Sequence, residues 1–151
     1  MISLIDITEN NYQIVCSLEV AENQKNFVAS PTRILASAYA MRNRNARVWA
    51  IANAKTIVGV LMVKDLFEDP ACYTIEQFLI DRHHQNKGYG KEALKLIIDL
   101  LANERKYEAI EICVKKAAAP AIQMYKNAGF TDTGYNDPTT PDSYILKYAF
   151  G

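Results

Sequence analysis

The chain is predicted to fold as an α/β (α+β) domain of three layers, with a mixed central sheet of about seven strands and helices on both faces. Three observations carry that expectation. Two apolar, β-rich runs, Arg47 to Ala52 and Thr56 to Lys64, flank the turn residues Asn53-Ala54-Lys55 and form an antiparallel hairpin. From Tyr73 onward the pattern alternates strand, helix, strand, helix, strand. Leu94, Ile97, Ile98 and Leu101 recur at i, i+3, i+4 and i+7, which is one buried helix face.

In chain order, Ile2 to Ile7 is short, apolar and β-branched, a first strand. Thr8 is placed to cap a helix from Glu9 to Val20. Glu22 to Ala29 is polar with Phe27 and Val28 embedded, a loop or a bent helical turn. Ser30-Pro31 sets a cap before a proline at the first helical position, and the helix it opens reaches Arg44. After the hairpin, Asp65 to Pro70 reads as an acidic loop and Tyr73 to Asp81 as a strand. The long helix runs from Tyr89 to Arg105, with Lys91, Lys95 and Asp99 on its wet side. Ala109 to Val114 is a strand. Pro120 opens a last helix and Gly129 closes it. Phe130 to Tyr135 and Ser143 to Phe150 form a final antiparallel pair around a loop tip, Asn136 to Asp142.

Composition bounds the function. At 151 residues, 50% of them apolar, the chain is expected to form one domain, 1–151, with enough length to bury a core. Lys plus Arg and Asp plus Glu both number 17, so a nucleic-acid partner held by a broad basic surface is not expected. The tyrosines are scattered and make no base-stacking platform. No apolar run approaches ~18 residues, so no membrane span is expected. Met1-Ile2-Ser3-Leu4 lacks a basic segment followed by an apolar run, so no signal peptide is expected either. Cys16, Cys72 and Cys113 are far apart with no Cys-x-x-Cys pair, and read as free thiols in a reducing cytoplasm, buried filler rather than nucleophiles. His83 and His84 are adjacent, point different ways and lack a carboxylate–Cys cluster, so no metal is expected.

The stretch Gln85-Asn86-Lys87-Gly88-Tyr89-Gly90-Lys91 lies between a strand and the long helix. Two glycines two apart let the backbone pass close to a ligand. The helix then begins with unpaired amides and the positive end of its dipole, a site that takes phosphate readily. A tight turn is the alternative. The pattern Gly88-x-Gly90-x-x-Ala93, with Glu108 downstream, fits the dinucleotide fingerprint poorly, because that motif wants its first glycine directly after an early strand. There is no P-loop.

Gln85-x-x-Gly88-x-Gly90, preceded by Glu76-Gln77-Phe78-Leu79-Ile80-Asp81, resembles the acetyl-CoA site of the GNAT family of N-acetyltransferases. Ala121-Ile122-Gln123-Met124-Tyr125-Lys126-Asn127-Ala128-Gly129-Phe130 is similar to the late helix of that family. The resemblance covers residues 73 to 135 strongly and the rest loosely. Within the family the chain is most similar to the diamine and polyamine acetyltransferases, through Leu18 to Ala29, Ala36-Ser37-Ala38-Tyr39 and the Glu76-Gln77-Phe78 strand. One departure stands out: the family often places Asn where this chain has Ala118. Asn86 replaces a frequent Gly at a variable position.

The resemblance implies a GNAT-like fold, acetyl-CoA as cofactor, a small-molecule amine as partner, and a homodimer. An alkyl amine has a pKa of about 10.4 and arrives charged, so it must lose a proton before attack. Glu76, an acid inside an apolar strand, is the candidate base, with an ion pair as the alternative. Tyr125 is the candidate acid for the departing thiolate, with core packing as the alternative. A backbone amide on Phe78, Leu79 or Ile80 is the implied oxyanion donor, and the same strand would pair with the pantetheine arm. Gln85 to Lys91 would hold the pyrophosphate, with Lys87 and Lys91 as charge partners. Glu19, Glu22, Glu68 and Asp69 could line an acidic acceptor pocket, but a solvated face is the default for each. The leading acceptor is a diamine or polyamine. Other amines (an amino sugar, an amino acid, a protein N-terminus) and a non-catalytic acyl-CoA sensor stand as alternatives.

Overall fold

The computed structural model describes residues 1–151. Seven strands form one sheet in the order β1-β2-β3-β4-β5-β7-β6. β1 (Ile2–Asp6), β2 (Arg47–Asn53), β3 (Thr56–Leu66) and β4 (Cys72–Ile80) pair antiparallel in succession. β5 (Ala109–Lys115) lies parallel to β4, and β7 (Ser143–Ala149) pairs antiparallel between β5 and the edge strand β6 (Thr131–Asp132). A parallel neighbour needs a crossover, and the long helix provides it.

Helices α1 (Tyr12–Ser17) and α2 (Pro31–Ala40) cover one face of the sheet, and α3 (Tyr89–Glu104) and α4 (Ala119–Asn127) cover the other. Leu94, Ile97, Ile98 and Leu101 of α3 are all buried, on a face shared with Leu61, Tyr73, Ile110 and Leu146 of the sheet. Val15, Leu18 and Ile34 close the opposite face over Val60, Met62 and Leu79. β3 is buried on both sides from Ile57 to Val63, which is why that run is apolar without alternation. The Ser30 hydroxyl accepts the Arg33 amide at 3.2 Å, and Pro31 opens α2 as its position predicts. No helix is long and apolar enough to cross a membrane.

Several local expectations are corrected. α1 is shorter than Glu9 to Val20, and Thr8 does not cap it: Thr8 bonds the Asn10 amide while Asn11 bonds Thr8 N and Asp6 O, so a side-chain-stapled turn precedes the helix. α2 stops at Ala40 and a 3₁₀ turn over Arg42–Arg44 follows, ending at Asn45 with φ 52°. Asp65 belongs to β3, not to a loop. It is buried and accepts from Lys106 Nζ at 2.6 Å and from the Tyr107 hydroxyl at 3.0 Å. β6 is two residues long rather than six. Cys72 is buried, but Cys113 is exposed on β5.

Candidate active site

β4 and β5 pair only at Tyr73–Ile110 and Thr74–Glu111. Past those residues the strands part, leaving the β5-facing edge of β4 without a ladder partner. A cavity of about 340 Å³ opens there, bordered by Phe78, Leu79 and Ile80 of β4, by Gln85, Asn86, Gly88, Tyr89, Gly90 and Lys91, and by Tyr125 of α4. The structure therefore gathers these sequence-predicted residues around one space. Lys87 is exposed and does not border it.

The glycine loop has the shape its sequence predicts. Asn86 and Gly88 take left-handed conformations, φ 63° and 81°, and Gly88 is the N-cap of α3 with no side-chain cap. The first amides of α3 are thus left for a ligand. A Cβ at Gly90 would sit 3.3 Å from Met124 Sδ and 3.7 Å from Ile80 Cγ1, so the cavity wall is closed tightly by a residue without a side chain. Uncapped amides, a close-packed glycine and an unpaired strand edge fit a phosphate-bearing cofactor with an extended arm.

Two side chains in this stretch are occupied by the protein itself. Gln85 Nε2 donates to Ile80 O at 2.9 Å and to Gln24 Oε1 at 2.8 Å, while Gln24 Nε2 donates back to Gln85 Oε1 at 3.2 Å. The Tyr89 hydroxyl accepts from Asn53 Nδ2 at 2.9 Å. Gln85 and Tyr89 therefore shape the loop and offer the cavity mainly backbone. Buried Asp81 secures the same junction by accepting the Glu19 amide at 2.9 Å and the His83 amide and ring nitrogen, each at 3.1 Å. Burial alone would raise the Asp81 pKa; the two backbone amides and His83 outweigh it and hold the carboxyl below its ordinary value. His83 is thus a partner of Asp81, and His84 borders the cavity.

Tyr125 is 6% exposed, its ring edge-on to Phe78 at 6.5 Å and to Phe130 at 5.7 Å between centroids. Burial, with no charged or hydrogen-bonding neighbour contributing, pushes its pKa above the ordinary tyrosine value, so the hydroxyl stays protonated. Beyond Phe78 and Tyr125 lies a second cavity of about 270 Å³ that Glu76 and Tyr125 both border, together with Lys115, Thr140 and Ser143. The two candidate catalytic residues therefore border one cavity, although the Glu76 carboxylate itself is engaged by Lys64 on the α2 side of the sheet.

Glu76 sits at a β-bulge: Val63 pairs with Ile75 and Met62 with Gln77, leaving Glu76 extra. The bulge reverses the alternation of β4. Tyr73 and Ile75 face α3 before it, and Phe78 and Ile80 face that side after it. Glu76 Oε2 lies 3.3 Å from Lys64 Nζ, so the ion-pair alternative is realised. Ala118 is buried and N-caps α4 with no side-chain bond. Sequence reading missed Lys64, Gln24 and the role of Gln77, whose Oε1 accepts the Ala29 amide at 3.0 Å. Nothing local in the sequence pairs residues so far apart.

None of the four candidate acids lines the cleft, in keeping with a solvated face as the default for each. Glu19 pairs with Arg82 at 2.9 Å and Glu22 with Lys25 at 2.7 Å, and neither they nor Glu68 and Asp69 border the cleft.

The model of the acetyltransferase (GNAT) family matches residues 11–130. The chain belongs to the GNAT family. Among curated relatives of this GNAT chain, a probable spermine N(1)-acetyltransferase of Bacillus subtilis subsp. natto is 24% identical, covering 90% of this chain and 91% of the relative. The spermine/spermidine N(1)-acetyltransferase of Bacillus subtilis strain 168 is 23% identical with the same coverage. Among solved structures, an aminoglycoside acetyltransferase in complex with coenzyme A superposes with a TM-score of 0.81 at 14% identity, covering 99% of this chain and 95% of that one. At that identity the likeness shows the fold.

Away from the cleft, this GNAT chain groups Glu68, Cys72 and Glu111, with donor atoms all within 4.8 Å of one another. Burial and the two carboxylates push the Cys72 thiol up to about 12, which makes it an inert thiol.

Proposed function

We propose that this GNAT chain transfers the acetyl group of acetyl-CoA to the primary amine of a small acceptor. The observation that carries the reading is a continuous path. It starts at the uncapped amides of α3, follows the unpaired edge of β4, and ends where Tyr125 and Glu76 border one cavity. Bound acetyl-CoA supplies an activated thioester. The amides of Gly88 to Lys91, with the Lys91 ammonium, would hold its phosphates. Backbone amides on Phe78 to Ile80 would stabilise the carbonyl oxygen as charge builds there.

In the transfer a C–S bond breaks as a C–N bond forms. Glu76, directly or through a water, takes the proton the amine sheds. Tyr125 donates its hydroxyl hydrogen to the departing sulfur. Because burial strengthens the hold of Tyr125 on its proton, its contribution is hydrogen-bond donation more than a downhill proton transfer. Holding the two reactants together supplies much of the acceleration.

Two acceptor classes follow. A diamine or polyamine is supported by the sequence resemblance and by the names of the two Bacillus relatives. An amine of another kind, such as an amino acid or amino sugar, is supported by the absence of Glu19, Glu22, Glu68 and Asp69 from the cleft. The test is free-thiol release from acetyl-CoA with each amine alone. Turnover with any primary amine supports the reaction. Coenzyme binding by calorimetry without release from any amine would leave a sensor and sink it.

A further inference from the structure

A third cavity of about 530 Å³, bordered by Glu76, Gln77, Lys25 and Arg33, adjoins the second one, with which it shares Phe27, Val28, Glu76 and Gln77. Its charge is one-sided. Glu76 is the only carboxylate on either acceptor-side cavity, and Lys64 already neutralises it at 3.3 Å. Arg33 on the first turn of α2 borders the third cavity and Lys115 at the end of β5 borders the second, each with no carboxylate partner. Lys25 is matched by Glu22. A diamine or polyamine would carry a second positive charge into a cleft that holds surplus positive charge of its own. An acceptor with a carboxylate at its far end would find Arg33 or Lys115 there instead.

We infer that the acceptor is an amino carboxylate: a primary amine that reacts beside Glu76 and a carboxylate that Arg33 or Lys115 receives. This rests on the acetyl-transfer reading and chooses between its two acceptor classes. Arg33 is then a specificity-determining residue, suited by its planar fork to a bidentate carboxylate. Like-charge contact discriminates against the diamine, and opposite charge favours the amino carboxylate.

The test uses acceptors that differ only in the far group: cadaverine, with two amines, and 6-aminohexanoate, with one amine and one carboxylate on a chain of similar length. Lysine and spermidine extend the series. Thiol release should give the carboxylate-bearing acceptors a kcat/KM on the order of tenfold or more above the diamine, a gap of the size one well-placed charge contact supplies. Arg33→Glu should narrow or invert that preference, mainly through KM. Arg33 is exposed, so the variant should fold, and coenzyme A affinity measured on it by calorimetry should match the parent. A parent preference for cadaverine or spermidine overturns the inference and leaves acetyl transfer standing. So does an Arg33→Glu and Lys115→Glu pair that keeps the parent ranking. Absence of thiol release from every amine, with coenzyme A still bound, overturns the acetyl-transfer reading and this inference together.

Discussion

Lys64 Nζ lies 3.3 Å from Glu76 Oε2, so the carboxylate proposed as the base already holds a cation belonging to the protein. The pair crosses from β3 to β4 beside the bulge that turns Glu76 toward the cleft. An incoming ammonium must compete with Lys64 for the same oxygens. The two side chains are only 14% and 32% exposed, so the cost of desolvating both ions offsets most of their attraction and the pair adds little net stability.

Lys64→Met should therefore leave the melting temperature within a few degrees of the parent and make simple diamines better acceptors. KM for cadaverine is expected to fall by roughly fivefold, the equivalent of about 1 kcal/mol of freed attraction. A KM that rises in the variant would show that Lys64 positions Glu76 rather than competing with substrate.

Tyr125→Phe removes one oxygen from a buried ring that already packs on Phe78 and Phe130. Turnover should fall by ~10²-fold or more, the usual contribution of a positioned acid, with coenzyme A affinity nearly unchanged. Burial raises the Tyr125 pKa, so its hydroxyl keeps its proton through the ordinary tyrosine range, and activity should show no alkaline limb near pH 10. An alkaline limb there that disappears in Tyr125→Phe would contradict the assigned environment.

Gly90→Val tests the cofactor path. The added Cβ meets the flexible Met124 side chain at 3.3 Å and makes ordinary contact with Ile80 Cγ1 at 3.7 Å, so the fold should tolerate it, while the two methyl groups enter the cavity beside the first turn of α3. Coenzyme A affinity should drop by tenfold or more, about 1.4 kcal/mol, with a small change in melting temperature. Parent-like affinity would place the coenzyme elsewhere.

Much of the fold is legible because its signals are local. The Leu94, Ile97, Ile98, Leu101 stripe needs two turns of helix to be read, and Ser30-Pro31 and Gly88-x-Gly90 announce their own backbone. What sequence leaves unread is set by partners distant along the chain. The β4 bulge exists because β3 pairs with Ile75 and Gln77 and skips Glu76. Asp65 is buried because Lys106 and Tyr107 reach it from beyond α3. Cys113 is exposed because neither helical pair covers that face of β5. Acidity is a further case: Glu19 and Glu22 are exposed, pair with Arg82 and Lys25, and do not line the cleft.

Glu111 provides a prediction independent of catalysis. Burial first, and then the hydrogen bond and charge of Glu68, raise its pKa from 4.5 to about 7, while Lys147 opposes them. A carboxyl whose folded pKa lies above its unfolded value binds its proton more tightly when folded. Its contribution to stability is therefore greatest below about pH 4.5 and declines as pH rises toward 7, where the folded state must accept a charge in a half-buried site. Glu111→Gln holds a neutral group of the same shape at every pH. The variant should match the parent at pH 5 and be more stable at pH 8, by at most about 1 kcal/mol after solvent screening is allowed for. For a chain of this size that is roughly 2–4 °C in melting temperature. Equal destabilisation at both pH values would instead mean that Glu111 is held as a bonded carboxylate, with no proton shared with Glu68.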